Sequence, residues 1–309
     1  MRTAFIETLC DLAAQDERIF LLTGDLGYSV LEPFARCYPK RYLNAGIAEQ
    51  NMTGVAAGLA LCGKTVFTYS IANFPLLRCL EQVRNDVCYH RANVKIVAVG
   101  GGCTYGSSGY THHGVEDLAV ARSLPGMTVI APADPIETRL AMRALARMSG
   151  PCYLRLGKAG EPVVHRGEPE FEIGRAVQVR TGRDVTLIST GAMLKETLSA
   201  ADQLARQGIE AGVLSMHTLK PLDRQALRQA AEQTGAIVTV EEHSVIGGLG
   251  SAVADFLAEA DLSYVRLRKH ALPDELQRKV GSQQYFRRLS GSIVASVKLL
   301  VAEPAGAPV

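Results

Sequence analysis

The sequence predicts an α/β protein of two tandem three-layer domains, and two observations predict it. Segments with helical spacing of apolar residues alternate with short apolar runs, the pattern of a parallel sheet whose strands are joined by helical crossovers. The alternation breaks once, around Glu161 to Arg183, where Pro, Gly and charge mix in "EPVVHRGEPEFEIGRAVQVRTGRD", and then resumes. The predicted division is a first domain at 1–165, a linker at 166–183, a second domain at 184–303 and a disordered tail at 304–309.

The elements follow in order. "TAFIETLCDLAAQ" has helical spacing and leads into the apolar run "IFLLTGD". "NVKIVAVGGG" reads as a buried strand entering a glycine turn, and "MTVIAPADP" as a strand ended by Pro and Asp. "PIETRLAMRALARM" restores helical spacing and "CYLRLGK" is a last short strand. Beyond the linker, "DVTLIST", "EAGVLSM" and "AIVTVEE" read as strands, and "MLKETLSAADQLARQG", "DRQALRQAAEQTG" and "GSAVADFLAEA" as helices. The tail "AEPAGAPV" has neither period.

Composition narrows the function classes. The chain has 309 residues, 47% hydrophobic and 21% charged, enough for two packed domains. Its 33 Lys and Arg against 31 Asp and Glu give a net charge of +2 with no long basic run, so nucleic acid and membrane surfaces are not expected partners. Charges spread through "MRTAFIETLCDLAAQDERIF" argue against a signal peptide, and no apolar run is long enough to span a membrane. Seven scattered cysteines without a CxxC pair fit reduced thiols in a cytoplasmic protein, with neither disulfides nor structural zinc.

Three places carry candidate chemistry. Glu49, in "NAGIAEQNM", precedes the small-residue segment "TGVAAGLALCG". A carboxylate in such surroundings has to be paired, hydrogen-bonded or protonated, and small neighbours admit a flat ligand or another backbone; a plain helix-start glutamate is the competing reading. "TYSIANF" puts Tyr69 and Phe74 near a strand end, where aromatics usually belong to the core. The loop 100–114 holds six glycines with His112 and His113, too polar and too long for packing alone. Adjacent histidines point different ways and lack a carboxylate at ligand spacing, which disfavours a metal; neither GxGxxG nor GxxxxGK[ST] is present.

In order and spacing, "NAGIAEQNM", "TYSIANF", "GSSGYTHHGVEDLAVARSLPGMTVIAPADPIE", "HTLKPLD" and "VTVEEHSVIGGLGSAV" resemble the C-terminal half of transketolase, from near Thr3 to near Leu300. That half consists of a pyrimidine-binding domain and a C-terminal domain. The resemblance extends, less closely, to 1-deoxyxylulose-5-phosphate synthase and the beta subunits of 2-oxo acid dehydrogenases. It implies thiamine diphosphate as cofactor, with Glu49 hydrogen-bonding a ring nitrogen of the aminopyrimidine and so promoting proton removal from the thiazolium carbon. Phe74 matches the aromatic stacked on the pyrimidine. Asp25 in "LLTGDLG" and Tyr69 are expected to line the cofactor pocket. His112 matches the "TH" histidine that contacts the donor carbonyl oxygen. Arg155 falls where an arginine grips the sugar phosphate, with Ser29, Ser108 and His113 in the substrate set.

Two departures qualify the resemblance. Ser108 stands where transketolases carry an aspartate that reads a donor hydroxyl, and Gly100 where they carry a phosphate-side histidine, so the donor sugar is left open. The "GDG" and later asparagine that hold the diphosphate and its magnesium are also missing. The resemblance then implies half of a split enzyme, with metal ligands on a separate diphosphate-binding subunit and an α2β2 heterotetramer that transfers a two-carbon ketol unit between sugars or sugar phosphates. A decarboxylating enzyme of the synthase or dehydrogenase type and a non-catalytic structural or regulatory partner are the alternatives. The "GGLGSAV" turn of the second domain offers a helix N-terminus to an anion, whereas Glu242 and His243 are read as structural.

Overall fold

The structure is a computed structural model that describes residues 1–158 and 160–302. The expected disordered tail at 304–309 lies outside the described residues. The first half supplies β1 (Ile19–Thr23), β2 (Tyr42–Asn44), β3 (Thr65–Ile71), β4 (Val94–Val99), β5 (Thr128–Ile130) and β6 (Cys152–Leu156). The second supplies β7 (Val177–Arg180), β8 (Val185–Ser189), β9 (Ala211–Ser215), β10 (Thr218–Lys220), β11 (Ala236–Ser244) and β12 (Arg266–Leu272).

The first sheet has the order β10-β5-β6-β4-β3-β1-β2, parallel throughout except for β10. Its central strands are apolar runs because helices cover both faces, and every residue of β4 is buried. That includes Lys95, whose ammonium donates to Met148 O at 2.8 Å and Gly150 O at 2.7 Å, while burial lowers its pKa to about 8. The helix Pro135–Arg147 starts where "APADP" predicts, with the Asp134 side chain accepting from Glu137 N at 2.8 Å and Pro135 at its first position.

The second sheet has the order β12-β11-β8-β9-β7, with β7 antiparallel at the edge. Two strands depart from the predicted division. β7 lies inside the stretch expected to be a linker, because the short alternation of Val177–Arg180 is masked by flanking Pro, Gly and charge. β10 follows β9 in sequence yet pairs antiparallel with β5 of the first sheet, Thr218 opposite Ile130. The two halves therefore share a sheet.

Candidate active site

Strands β1, β3 and β4 run parallel, so the segments after them emerge on one edge of the sheet, where open α/β sheets place their ligand crevices. Asp25 follows β1, Phe74 follows β3, and His112 lies in the loop after β4. Glu49 opens the helix Glu49–Leu61, directly after β2 and its turn.

Glu49 is 2% exposed, and its Oε2 accepts from Arg78 Nη1 at 2.7 Å. Of the states a buried carboxylate can take, it adopts the paired one. Gly24, just before Asp25, packs against it so closely that a Cβ there would meet Glu49 Cγ at 3.2 Å. The Arg78 guanidinium lies 4.3 Å above the centroid of the Phe74 ring, and His112 stands edge-on to that ring at 5.4 Å. Glu49, Arg78, Phe74 and His112 thus form one continuous cluster. Asn73 supports it by donating through Nδ2 to Thr111 O at 2.6 Å, and Thr111 Oγ1 is 3.0 Å from His112 Nδ1.

Asp25 adjoins the cluster through Gly24. It holds a positive φ of 54°, fixed by Asn44, which accepts from Asp25 N and donates to Asp25 Oδ1, each at 3.0 Å. Ser29 also has a positive φ, 61°; it is exposed, and its backbone N–H donates to Glu32 at 2.8 Å.

Other expected residues are placed differently. Tyr69 is fully buried, stacked on Phe5 with centroids 5.6 Å apart, and belongs to the core rather than to a ligand surface. His113 is 2% exposed and packs edge-on to Phe286 at 4.7 Å. Neither of its ring nitrogens has a hydrogen-bond partner among the described residues, and burial lowers its pKa. Arg155 is buried: its Nε donates to Asp117 at 2.9 Å and its Nη2 to Gly114 O and Glu242 O at 2.6 and 2.9 Å. Two of its three guanidinium nitrogens are thereby spent on internal ties, which leaves Arg155 ill placed to grip a phosphate. Ser108 is exposed on the loop.

The second-domain turn is self-occupied. Glu241 accepts from Leu249 N at 2.7 Å and Gly250 N at 2.8 Å, so the helix N-terminus expected to take an anion is filled by the chain's own carboxylate. Glu242 accepts from Cys103 N at 2.7 Å and pairs with Arg287, and His243 Nε2 accepts from Ala119 N at 3.3 Å. Both tie the second domain to the first.

Sequence reasoning missed Arg78, Asn73 and Asn44. Arg78 follows Phe74 by four residues, the one spacing that could have flagged it. Among the described residues no helix is long and apolar enough to cross a membrane, and no group of three or more His, Cys, Asp or Glu is placed to hold a metal ion.

Residues 1–160 match the transketolase pyrimidine binding domain, and residues 174–284 the transketolase C-terminal domain. The chain belongs to the transketolase family. Among its relatives, an apulose-4-phosphate transketolase subunit of Phocaeicola vulgatus is 43% identical over 276 residues, 89% of this chain and 88% of that protein. The 6-deoxy-6-sulfo-D-fructose transketolase subunit SqwH of a Clostridium species is 43% identical over 260 residues, 84% of this chain and 81% of that one. A solved split gene transketolase, an inactive beta4 tetramer, superposes with a TM-score of 0.88 at 40% identity over 97% of both chains.

The family is one of thiamine diphosphate enzymes, and the donor set of the cluster fits the aminopyrimidine end of that cofactor. A buried carboxylate and a half-buried aromatic ring face a common space already taken by one flat, hydrogen-bonding group, the Arg78 guanidinium.

Proposed function

We propose that this chain is the pyrimidine-side subunit of a two-chain transketolase that moves a two-carbon ketol unit between sugars or sugar phosphates, with thiamine diphosphate held between it and a diphosphate-binding partner. The observation that carries this reading is Glu49: a carboxylate 2% exposed at the head of its helix, beside Phe74 and within the same cluster as His112. In support, the cited relatives of similar length are themselves named as subunits. When bound, the cofactor supplies the carbon nucleophile that takes up the two-carbon unit.

Each residue has a defined task. Glu49 shares a proton with a ring nitrogen of the aminopyrimidine, and the pocket around it excludes the water that would compete for that hydrogen bond. Phe74 provides the stacking face. His112, half-buried and edge-on to Phe74, offers a ring nitrogen toward the oxygen on which charge develops. Asp25, held by Asn44, lines the wall next to Gly24. Magnesium and its ligands belong to the partner, and two of each subunit form the assembly.

The test is to combine the purified chain with a diphosphate-binding subunit, thiamine diphosphate and magnesium, and to assay ketose phosphates, unphosphorylated ketoses and pyruvate as donors. Ketol transfer in the mixture, and none by either chain alone, is expected. Glu49→Gln should slow turnover by on the order of a hundredfold with the fold intact. Submicromolar, magnesium-dependent cofactor binding by the isolated chain would overturn the split arrangement.

A further inference from the structure

Arg78 makes, toward Glu49 and Phe74, the two contacts that the proposed function assigns to the aminopyrimidine. Its Nη1 is 2.7 Å from Glu49 Oε2, and its Cζ is 4.3 Å from the Phe74 centroid. Because one guanidinium touches both residues, it fills the space between carboxylate and ring. A pyrimidine bonded to Glu49 and stacked on Phe74 needs that same space. We propose that Arg78 is a latch: it closes the aminopyrimidine pocket of the cofactor-free chain and swings out before the cofactor seats. This rests on the function proposed above.

The chemistry of the two groups explains why one can stand in for the other. A guanidinium is flat, donates hydrogen bonds in its plane and stacks on aromatic faces, and an aminopyrimidine shares all three properties. The exposures explain why the latch can open. The Glu49 side chain is 2% exposed and the Arg78 side chain 44% exposed, so the carboxylate is fixed while the cation borders solvent. Leu77 and Leu80, on either side in sequence, are also open to solvent, at 38% and 37%.

Exchange of partners keeps the buried carboxylate satisfied in both states. In the closed state Arg78 balances its charge; in the open state the cofactor ring takes over, and Arg78 recovers its hydration. The cost falls on apparent affinity, which is the intrinsic affinity reduced by the fraction of chains with the latch open. Until a partner brings the diphosphate-binding contacts, closure outweighs the pyrimidine contacts alone, so a lone chain keeps its pocket shut.

The experiment is calorimetric titration of thiamine diphosphate, with magnesium, into the complex of this chain and its diphosphate-binding partner, comparing wild type, Arg78→Met and Arg78→Lys. Methionine keeps the aliphatic stem without a charge to pair with Glu49; lysine keeps the charge but cannot stack as a plane. Arg78→Met should bind about tenfold more tightly than wild type, and Arg78→Lys more tightly by a smaller factor. If Arg78→Met gives no cooperative melt, Arg78→Lys decides by the same comparison. Unchanged or weaker binding in the folded variants, with wild type binding normally, would overturn the latch and leave the proposed function standing. Absence of binding in wild type and variants alike would overturn the proposed function, and the latch with it.

Discussion

Arg155 donates through Nε to Asp117 Oδ2 at 2.9 Å, with side chains 6% and 0% exposed. Tyr153 donates to the same carboxylate oxygen at 2.7 Å, and Arg155 reaches on to Glu242 O, so β6, the first turn of the helix Asp117–Ser123 and the second domain meet at one ion pair. Burial, the largest influence, would lower the Arg155 pKa, but Asp117, Tyr153 and Glu242 together outweigh it and the net direction is upward. The Tyr153 hydroxyl is pushed well up, first by burial and then by Asp117.

That geometry predicts a structural role. Asp117→Ala leaves a guanidinium buried without its counter-charge and should cost about 3–5 kcal/mol, read from urea unfolding. Arg155→Met should cost a similar amount by leaving the buried Asp117 charge with the Tyr153 hydroxyl but no counter-charge. A phosphate-gripping role predicts the opposite pattern for Arg155→Met: a raised KM for phosphorylated donors with stability unchanged.

Adjacent histidines separate structure from chemistry. His112 is half-buried beside Phe74, whereas His113 is packed on Phe286. In the assembled enzyme His112→Ala should lower turnover by roughly a hundredfold while leaving the melt of the chain nearly unchanged. His113→Ala should lose about 1–3 kcal/mol of stability through lost packing and keep turnover per folded molecule within a fewfold. Equal loss of turnover in both variants would mean that the loop presents both rings to the substrate.

What the sequence disclosed follows from how local each feature is. The alternation of strands and helices is written in periods of a few residues, so the fold class and most elements were legible. β10 is three residues long and its partner strand lies in the other half of the chain, so neither its length nor its neighbours announce it. Glu49 was legible because a carboxylate among small apolar residues demands a partner. Which partner was not, because Arg78 reaches it only through the turn that follows β3. Arg155 was assigned by position in a motif, but Asp117, which occupies it, is 38 residues away in sequence.

Buried histidines weaken the fold in acid. Burial lowers the pKa of His270 to about 4 and also lowers those of His113 and His217. For His270 the unfolded chain takes up a proton as the pH falls through about 6.5, while the native chain resists until about 4. Its contribution is therefore complete above pH 6.5 and lost as the pH drops toward 4, roughly 2–3 kcal/mol across the window. His165 acts in the opposite sense: burial, the largest influence, would lower its pKa, but the hydrogen bond and charge of Glu137 together with the charge of Asp134 outweigh it and raise it. Its stabilisation is present at low pH and fades as the pH rises through that raised value. With three depressed histidines against one raised, urea midpoints should fall from pH 6.5 to pH 4, and His270→Asn should flatten the slope. An unchanged slope in that variant would remove His270 as a cause.

The two halves of the chain should not survive separation. β10 completes the first sheet at β5, and the Lys220 ammonium fastens it by donating to Arg122 O at 2.8 Å and Leu124 O at 2.6 Å. Glu137, buried on a first-domain helix, is hydrogen-bonded by Ser215 Oγ at 2.7 Å, and His217 stacks on Phe171 at 4.0 Å. Ending the chain at residue 165 would strip β5 of its edge partner and remove Ser215 from Glu137, whose remaining ties are His165 and Ala133 N. A bare strand edge invites pairing with other chains, and a buried carboxylate short of a donor is costly. The full chain should therefore melt in one transition. A fragment of residues 1–165 should aggregate or melt at least roughly 10 °C lower. Scanning calorimetry of both checks this: a soluble fragment melting within a few degrees of the full chain would show that the shared sheet is dispensable and that each half folds on its own core.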